Sequence, residues 1–129
     1  MKLKVTITEL THDDLVNLIE TATYGSEWLS AHCPVESREM YKSSEYNCHS
    51  EALAEVLLKG GKIIFTDHYD EDEEDGKDYL VDLKQVLRGL NKFLKKYPSN
   101  FEDVTTDSGD YYTWNNAVQM IIFGDLVYG

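Results

Sequence analysis

The chain has 129 residues, with 24 acidic against 12 basic side chains, a formal charge of −12 at neutral pH and a hydrophobic share of 42%. That is one domain's worth of chain with enough apolar content to bury a core, which excludes a disordered segment, and no apolar run approaches the ~18–20 residues of a membrane span. The charge repels nucleic acid at long range and attracts basic partners, so direct binding to phosphate backbones is not expected.

The opening MKLKVTITEL alternates and then turns acidic, the pattern of a strand with one wet face rather than of a signal peptide. Leu3, Val5, Ile7 and Glu9 fall on one side of it. Thr11 is a predicted N-cap, with Asp13 and Asp14 in the first turn, where the helix dipole favours anions. The helix predicted over Asp13–Tyr24 turns Leu15, Leu18, Ile19 and Ala22 inward, and Gly25 stops it. Residues 26–47 carry Trp28, Leu29, Met40, Tyr41 and Tyr46 around Pro34 and read as irregular chain with one or two helical turns. Ser50 is the predicted cap of a helix over Glu51–Lys59 with Leu53, Val56 and Leu57 inward, ended by Gly60-Gly61.

Lys62–Tyr69 and the run resuming at Tyr79 read as two strands of a hairpin around a polar loop. A helix over Leu83–Tyr97 follows, its apolar stripe drawn by Val86, Leu87, Leu90, Phe93, Leu94 and Tyr97, with Pro98 beyond its end. Residues 99–110 are polar and loop-like. A last helix over Thr113–Phe123 turns Trp114, Ala117, Val118, Ile121 and Ile122 inward before Gly124. There is no repeat and no linker. The expected architecture is a single α+β domain over residues 1–129: an antiparallel sheet of about three strands with three to four helices packed on one face.

Chemistry concentrates between the two hairpin strands. Asp67–Asp82 holds nine acids and one lysine, two-thirds of the net charge. With Gly76 at position six of a calcium loop, Glu71, Glu73, Asp75 and Asp82 fall on ligand positions; yet position one is Glu, position twelve is the shorter Asp, and the flanks are strands, so a calcium site fits poorly. Two readings remain open: a solvated hairpin tip that discourages edge pairing, or an interaction surface whose carboxylates occupy a groove built for phosphate. On the second, Asp67, Asp70, Glu71, Asp72, Glu73, Glu74, Asp75 and Asp78 contact the partner, with Tyr69 and Tyr79 adding aromatic area at the rim.

The pairs His32-Cys33 and Cys48-His49 put four candidate ligands within eighteen residues, but adjacent side chains diverge and lack the C-x₂₋₄-C spacing of a zinc knuckle. A Cys–His nucleophile would need a third orienting group. Two cysteines are too few for a disulfide framework, which points to a reduced, cytoplasmic protein. Lys84, Arg88, Lys92 and Lys96 recur every fourth residue on the outer face of their helix, either as a solvated face or as a clamp for acids. No phosphate-cradling glycine loop, G-x-S-x-G or H-E-x-x-H is present, so no catalytic residue, metal or cofactor is expected.

Four stretches carry a resemblance: ATYGSEWL (Ala22–Leu29), LLKGGKIIFTD (Leu57–Asp67), VDLKQVLRGLNKFL (Val81–Leu94) and VQMIIFGDLVYG (Val118–Gly129). In these the chain resembles the small acidic proteins carried by bacteriophages and integrated mobile elements of Gram-positive gut and oral bacteria. It departs from them in its longer acidic loop and in the histidine–cysteine pairs. The resemblance implies no catalytic residues. It implies an accessory protein that disarms a host defence by binding, as inhibitors of CRISPR nucleases do. The expected function is therefore non-enzymatic inhibition of a host nucleic-acid-handling protein through its basic surface. A phage structural or assembly protein, or a small metal-dependent enzyme using His32, Cys33, Cys48 or His49, are the alternatives.

Overall fold

The computed structural model describes residues 6–24, 26–46, 48–72, 74–98 and 111–128. It holds an antiparallel sheet of three strands in the order β1 (Leu29–His32), β2 (Ile63–Asp67), β3 (Lys77–Val81). Five α-helices accompany it among the described residues: α1 (His12–Thr23), α2 (Arg38–Lys42), α3 (His49–Leu58), α4 (Leu83–Lys96) and α5 (Tyr111–Ile122). A 3₁₀ turn at Val35–Ser37 precedes α2, entered from Pro34. No helix among the described residues is long and apolar enough to cross a membrane.

Period-two alternation divides the sheet. Leu29 and Ala31 of β1, Ile63 and Phe65 of β2 and Val81 of β3 point inward and join one hydrophobic core with Leu15, Leu18 and Ile19 of α1, Leu53 and Leu57 of α3, Val86, Leu90 and Phe93 of α4 and Trp114 and Val118 of α5. The register sets Ser30 opposite Thr66 and Thr66 opposite Asp78, with His32, Ile64 and Leu80 in the next row, all on the outer face. Around the core, α1 packs on α3 and α5, and α5 packs on α4. At the α4–α5 crossing a Cβ on Gly89 would come within 2.5 Å of the Ile121 Cα, so the absence of a side chain there sets how closely the two helices approach.

The local signals act as expected where they are self-contained. Thr11 closes a capping box, its hydroxyl accepting from the Asp14 amide at 3.1 Å while the Asp14 carboxylate accepts from the Thr11 amide at 2.9 Å. After α3, the Gly61 amide reaches the Val56 carbonyl and the Gly60 amide the Leu57 carbonyl, with Gly60 at φ +89°. This is the paired bonding that left-handed glycine permits at a helix end. The Asp82 side chain caps α4 through the Gln85 amide.

Three expectations are corrected. Thr6–Leu10 is not a strand; residues 1–5 lie outside the described part. The Ile7 amide and carbonyl are taken by the Asn91 side chain of α4, at 2.7 and 2.9 Å, and that pair of bonds stands in for a strand partner. The third strand comes instead from Leu29–His32, inside the stretch read as irregular. Finally, α3 starts at His49 with Cys48 as its unbonded cap, ahead of the expected Ser50. The stop read at Gly25 and the loop read at 99–110 fall outside the described residues.

Candidate binding surface

The β2–β3 connection is the acidic turn, and its root is held from several sides. Asp67, the last residue of β2, is 2% exposed. Its carboxylate accepts from the Tyr128 hydroxyl at 2.8 and 3.0 Å and from the Tyr69 amide at 3.0 Å. Asp67 therefore does not belong to the exposed acidic lobe. Alternation places it on the same inward side as Ile63 and Phe65, and it serves as the turn's internal anchor. Burial, followed by the carboxylate of Asp67, pushes the Tyr128 hydroxyl up to about 12.

Tyr128 is positioned in turn by α5. Gln119, buried, accepts from the Val127 and Tyr128 amides at 2.7 and 2.8 Å and donates to the Tyr128 carbonyl at 3.2 Å and to Asn115 Oδ1 at 3.1 Å. The Tyr128 ring lies against Trp28, Tyr69 and Phe123. Asp125, in the same tail, takes Lys96 Nζ at 2.7 Å and the Tyr97 hydroxyl at 3.1 Å, and the Lys96 contact leads in holding its carboxyl down to about 2. Sequence reasoning missed this strap. Asn115 and Gln119, polar residues four apart on an otherwise apolar helix, were the available signal.

The opposite end of the turn closes at Gly76, whose φ is +89° and where a Cβ would lie 3.0 Å from the Asp67 carbonyl. Only glycine fits both demands. Between these ends Glu71, Asp72, Glu74 and Asp75 are exposed and Asp70 is half-buried; Glu73 lies outside the described residues. Asp70 accepts from the Asp72 amide at 2.9 Å, and Asp78, exposed on β3, accepts from the Thr66 hydroxyl at 2.7 Å. Neither of the two ion pairs among the described residues, Lys59–Glu55 and Lys96–Asp125, involves the turn. Tyr69 is 50% exposed beside the turn and donates to Glu27 at 3.0 Å, which adds a further carboxylate to this end of the molecule. Tyr79 is half-buried and meets Phe123 edge-on.

The other candidates separate. His49 donates from Nε2 to the Ala31 carbonyl at 2.8 Å, so its Nδ1 accepts from the Tyr41 hydroxyl at 2.7 Å and both ring nitrogens are engaged. Cys33 donates to the Pro34 carbonyl, and burial pushes its thiol up, away from the thiolate a nucleophile needs. Cys48 is exposed and His32 bonds Ser30. No group of three or more His, Cys, Asp or Glu side chains able to hold a metal occurs among the described residues. The cations of α4 do not clamp the turn: Lys84, Arg88, Lys92 and Lys95 have no carboxylate partner among the described residues. The helix starts beyond the far end of β3 from the turn. No family model, curated protein or solved structure matches the chain.

Proposed function

We propose that the chain is a non-enzymatic binding protein of phage or mobile-element origin that acts in the bacterial cytoplasm. It inhibits a host nucleic-acid-handling defence protein, a CRISPR nuclease being the foremost candidate. Asp70, Glu71, Asp72, Glu73, Glu74, Asp75 and Asp78 enter a basic groove that otherwise takes phosphate, and Tyr69 anchors the rim. The observation that carries this reading is a row of exposed carboxylates with no cation partner among the described residues, on a turn whose root is anchored by Tyr128 and whose other end is closed by Gly76. Carboxylates already neutralised by lysine or arginine would have to give up those pairs to bind; these do not, and their anchored ends reduce the ordering cost of binding.

The test is a pull-down from a Gram-positive bacterial lysate supplemented with CRISPR nucleases, at low and at moderate salt. Wild type runs beside a variant in which the six acids at 70–75 are replaced by their amides. The expected result is one nucleic-acid-binding protein held by wild type, released by salt and lost by the amide variant. Retention of the same partner by both forms would place the interface elsewhere and sink the reading.

A further inference from the structure

The outer face of the sheet carries a constellation that the acidic turn does not use. Ser30 and His32 stand there on β1, and His68, the residue after β2, continues the ladder through its amide to the Trp28 carbonyl at 2.7 Å. The Ser30 Oγ lies 2.8 Å from His32 Nε2 and 2.7 Å from His68 Nε2. A hydroxyl has one proton, so it donates to one ring and accepts from the other. The two Nε2 atoms thus converge on one point, within two hydrogen-bond lengths of each other. Both histidines are exposed, and neither Nδ1 has a protein partner among the described residues.

We propose that His32 and His68 bind one divalent transition-metal ion of borderline softness, zinc being the reference case, with Ser30 and water completing the shell. The paired strands fix both backbones, so only rotation of two exposed rings is needed to bring both nitrogens to bonds of about 2.0–2.1 Å from one ion. Imidazole selects this class of ion over calcium and magnesium, which prefer all-oxygen shells. The surrounding charge favours any cation: His68 leads directly into Tyr69 and the acidic turn, and Asp78 sits on the same sheet face. Elsewhere the imidazoles are committed: His49 uses both ring nitrogens, and His12 donates to the Glu51 carbonyl at 3.1 Å and stacks on Tyr46. With two protein nitrogens the site is open, and it exchanges its ion instead of burying it.

Titration calorimetry with zinc chloride tests this without any partner, so its outcome is separate from that of the inhibitor reading. Wild type is compared with His32→Ala, His68→Ala and the amide variant at 70–75, each checked for folding by circular dichroism. The expected result is one zinc per chain in wild type, weakened about tenfold or more by either histidine substitution, retained within a few-fold by the amide variant and not displaced by calcium. In NMR spectra of wild type, zinc shifts the ring signals of His32 and His68 and leaves those of His12 and His49 in place. Unchanged zinc affinity in both histidine variants, or its loss in the amide variant, would overturn the proposal, since the ion would then belong to the carboxylates.

Discussion

A carboxylate at 2% exposure that forms no ion pair among the described residues survives only if its lone pairs are filled by donors. Asp67 meets that condition through one amide and one phenol, and the phenol is the second-last residue of the chain. Replacing Tyr128 by Phe keeps the ring contacts with Trp28 and Phe123 but strips the hydroxyl from a buried charge. The expected loss is about 1–3 kcal/mol of unfolding free energy, read from urea melts at neutral pH. The same hydroxyl sets an alkaline limit. Its folded-state pKa, pushed up to about 12, lies above the 10.0 of a free tyrosine, so the folded form holds the proton more tightly. The stabilisation is complete below pH 10 and is lost as the pH rises towards 12. Urea melts across that window should show a steeper decline for wild type than for Tyr128→Phe, and parallel curves would remove the linkage from Tyr128. Asp67 was legible as inward from its alternation with Ile63 and Phe65; its neighbours in the acidic run hid that, because sequence adjacency groups residues that a strand's pleat separates.

Elements were legible in proportion to how much of their signal is local. Helices α1, α3, α4 and α5 announce themselves by apolar spacing and by Thr11, Gly60 and Gly124, and the hairpin by two β-rich runs around a polar loop. β1 is four residues long, too short to show a period, and it exists because β2 offers an edge. That Thr6–Leu10 is not a strand has a cause 84 residues away, the Asn91 side chain, which no local pattern could disclose. The close approach of α4 to α5 is also long-range. Gly89 reads in sequence as a weak point of α4, where Ala would be the better helix former by about 1 kcal/mol. In the fold a Cβ there would stand 2.5 Å from the Ile121 Cα and 2.9 Å from its amide nitrogen, both backbone atoms that cannot swing aside. Gly89→Ala is therefore expected to destabilise by about 1–3 kcal/mol net of its propensity gain. A urea midpoint equal to or above wild type would show that α4 and α5 can move apart freely.

At the scale of the whole molecule the charge is segregated. α4 carries no acid among its fourteen residues, while residues 70–75 are all acids and none of the described ones forms an ion pair. Opposite charges that could have been interleaved for solubility are held apart, with α4 and the turn lying beyond opposite ends of β3. Like charges crowded on one turn repel and work against the compact state, so a turn serving only its own hairpin would gain by losing some of them. Converting the six acids at 70–75 to amides is expected to raise the melting temperature by a few degrees at low salt. That gain should shrink as salt screens the exposed carboxylates. Scanning calorimetry at low and high ionic strength reads both effects. A rise in stability that coincides with loss of the captured partner would mean that the turn carries a repulsive load which folding does not require, leaving binding as its physical reason. A fall in melting temperature would reverse the argument: the carboxylates would then be organising their own turn, as the Asp70 bond to the Asp72 amide already does on a small scale, and the groove-filling role would lose its physical motive.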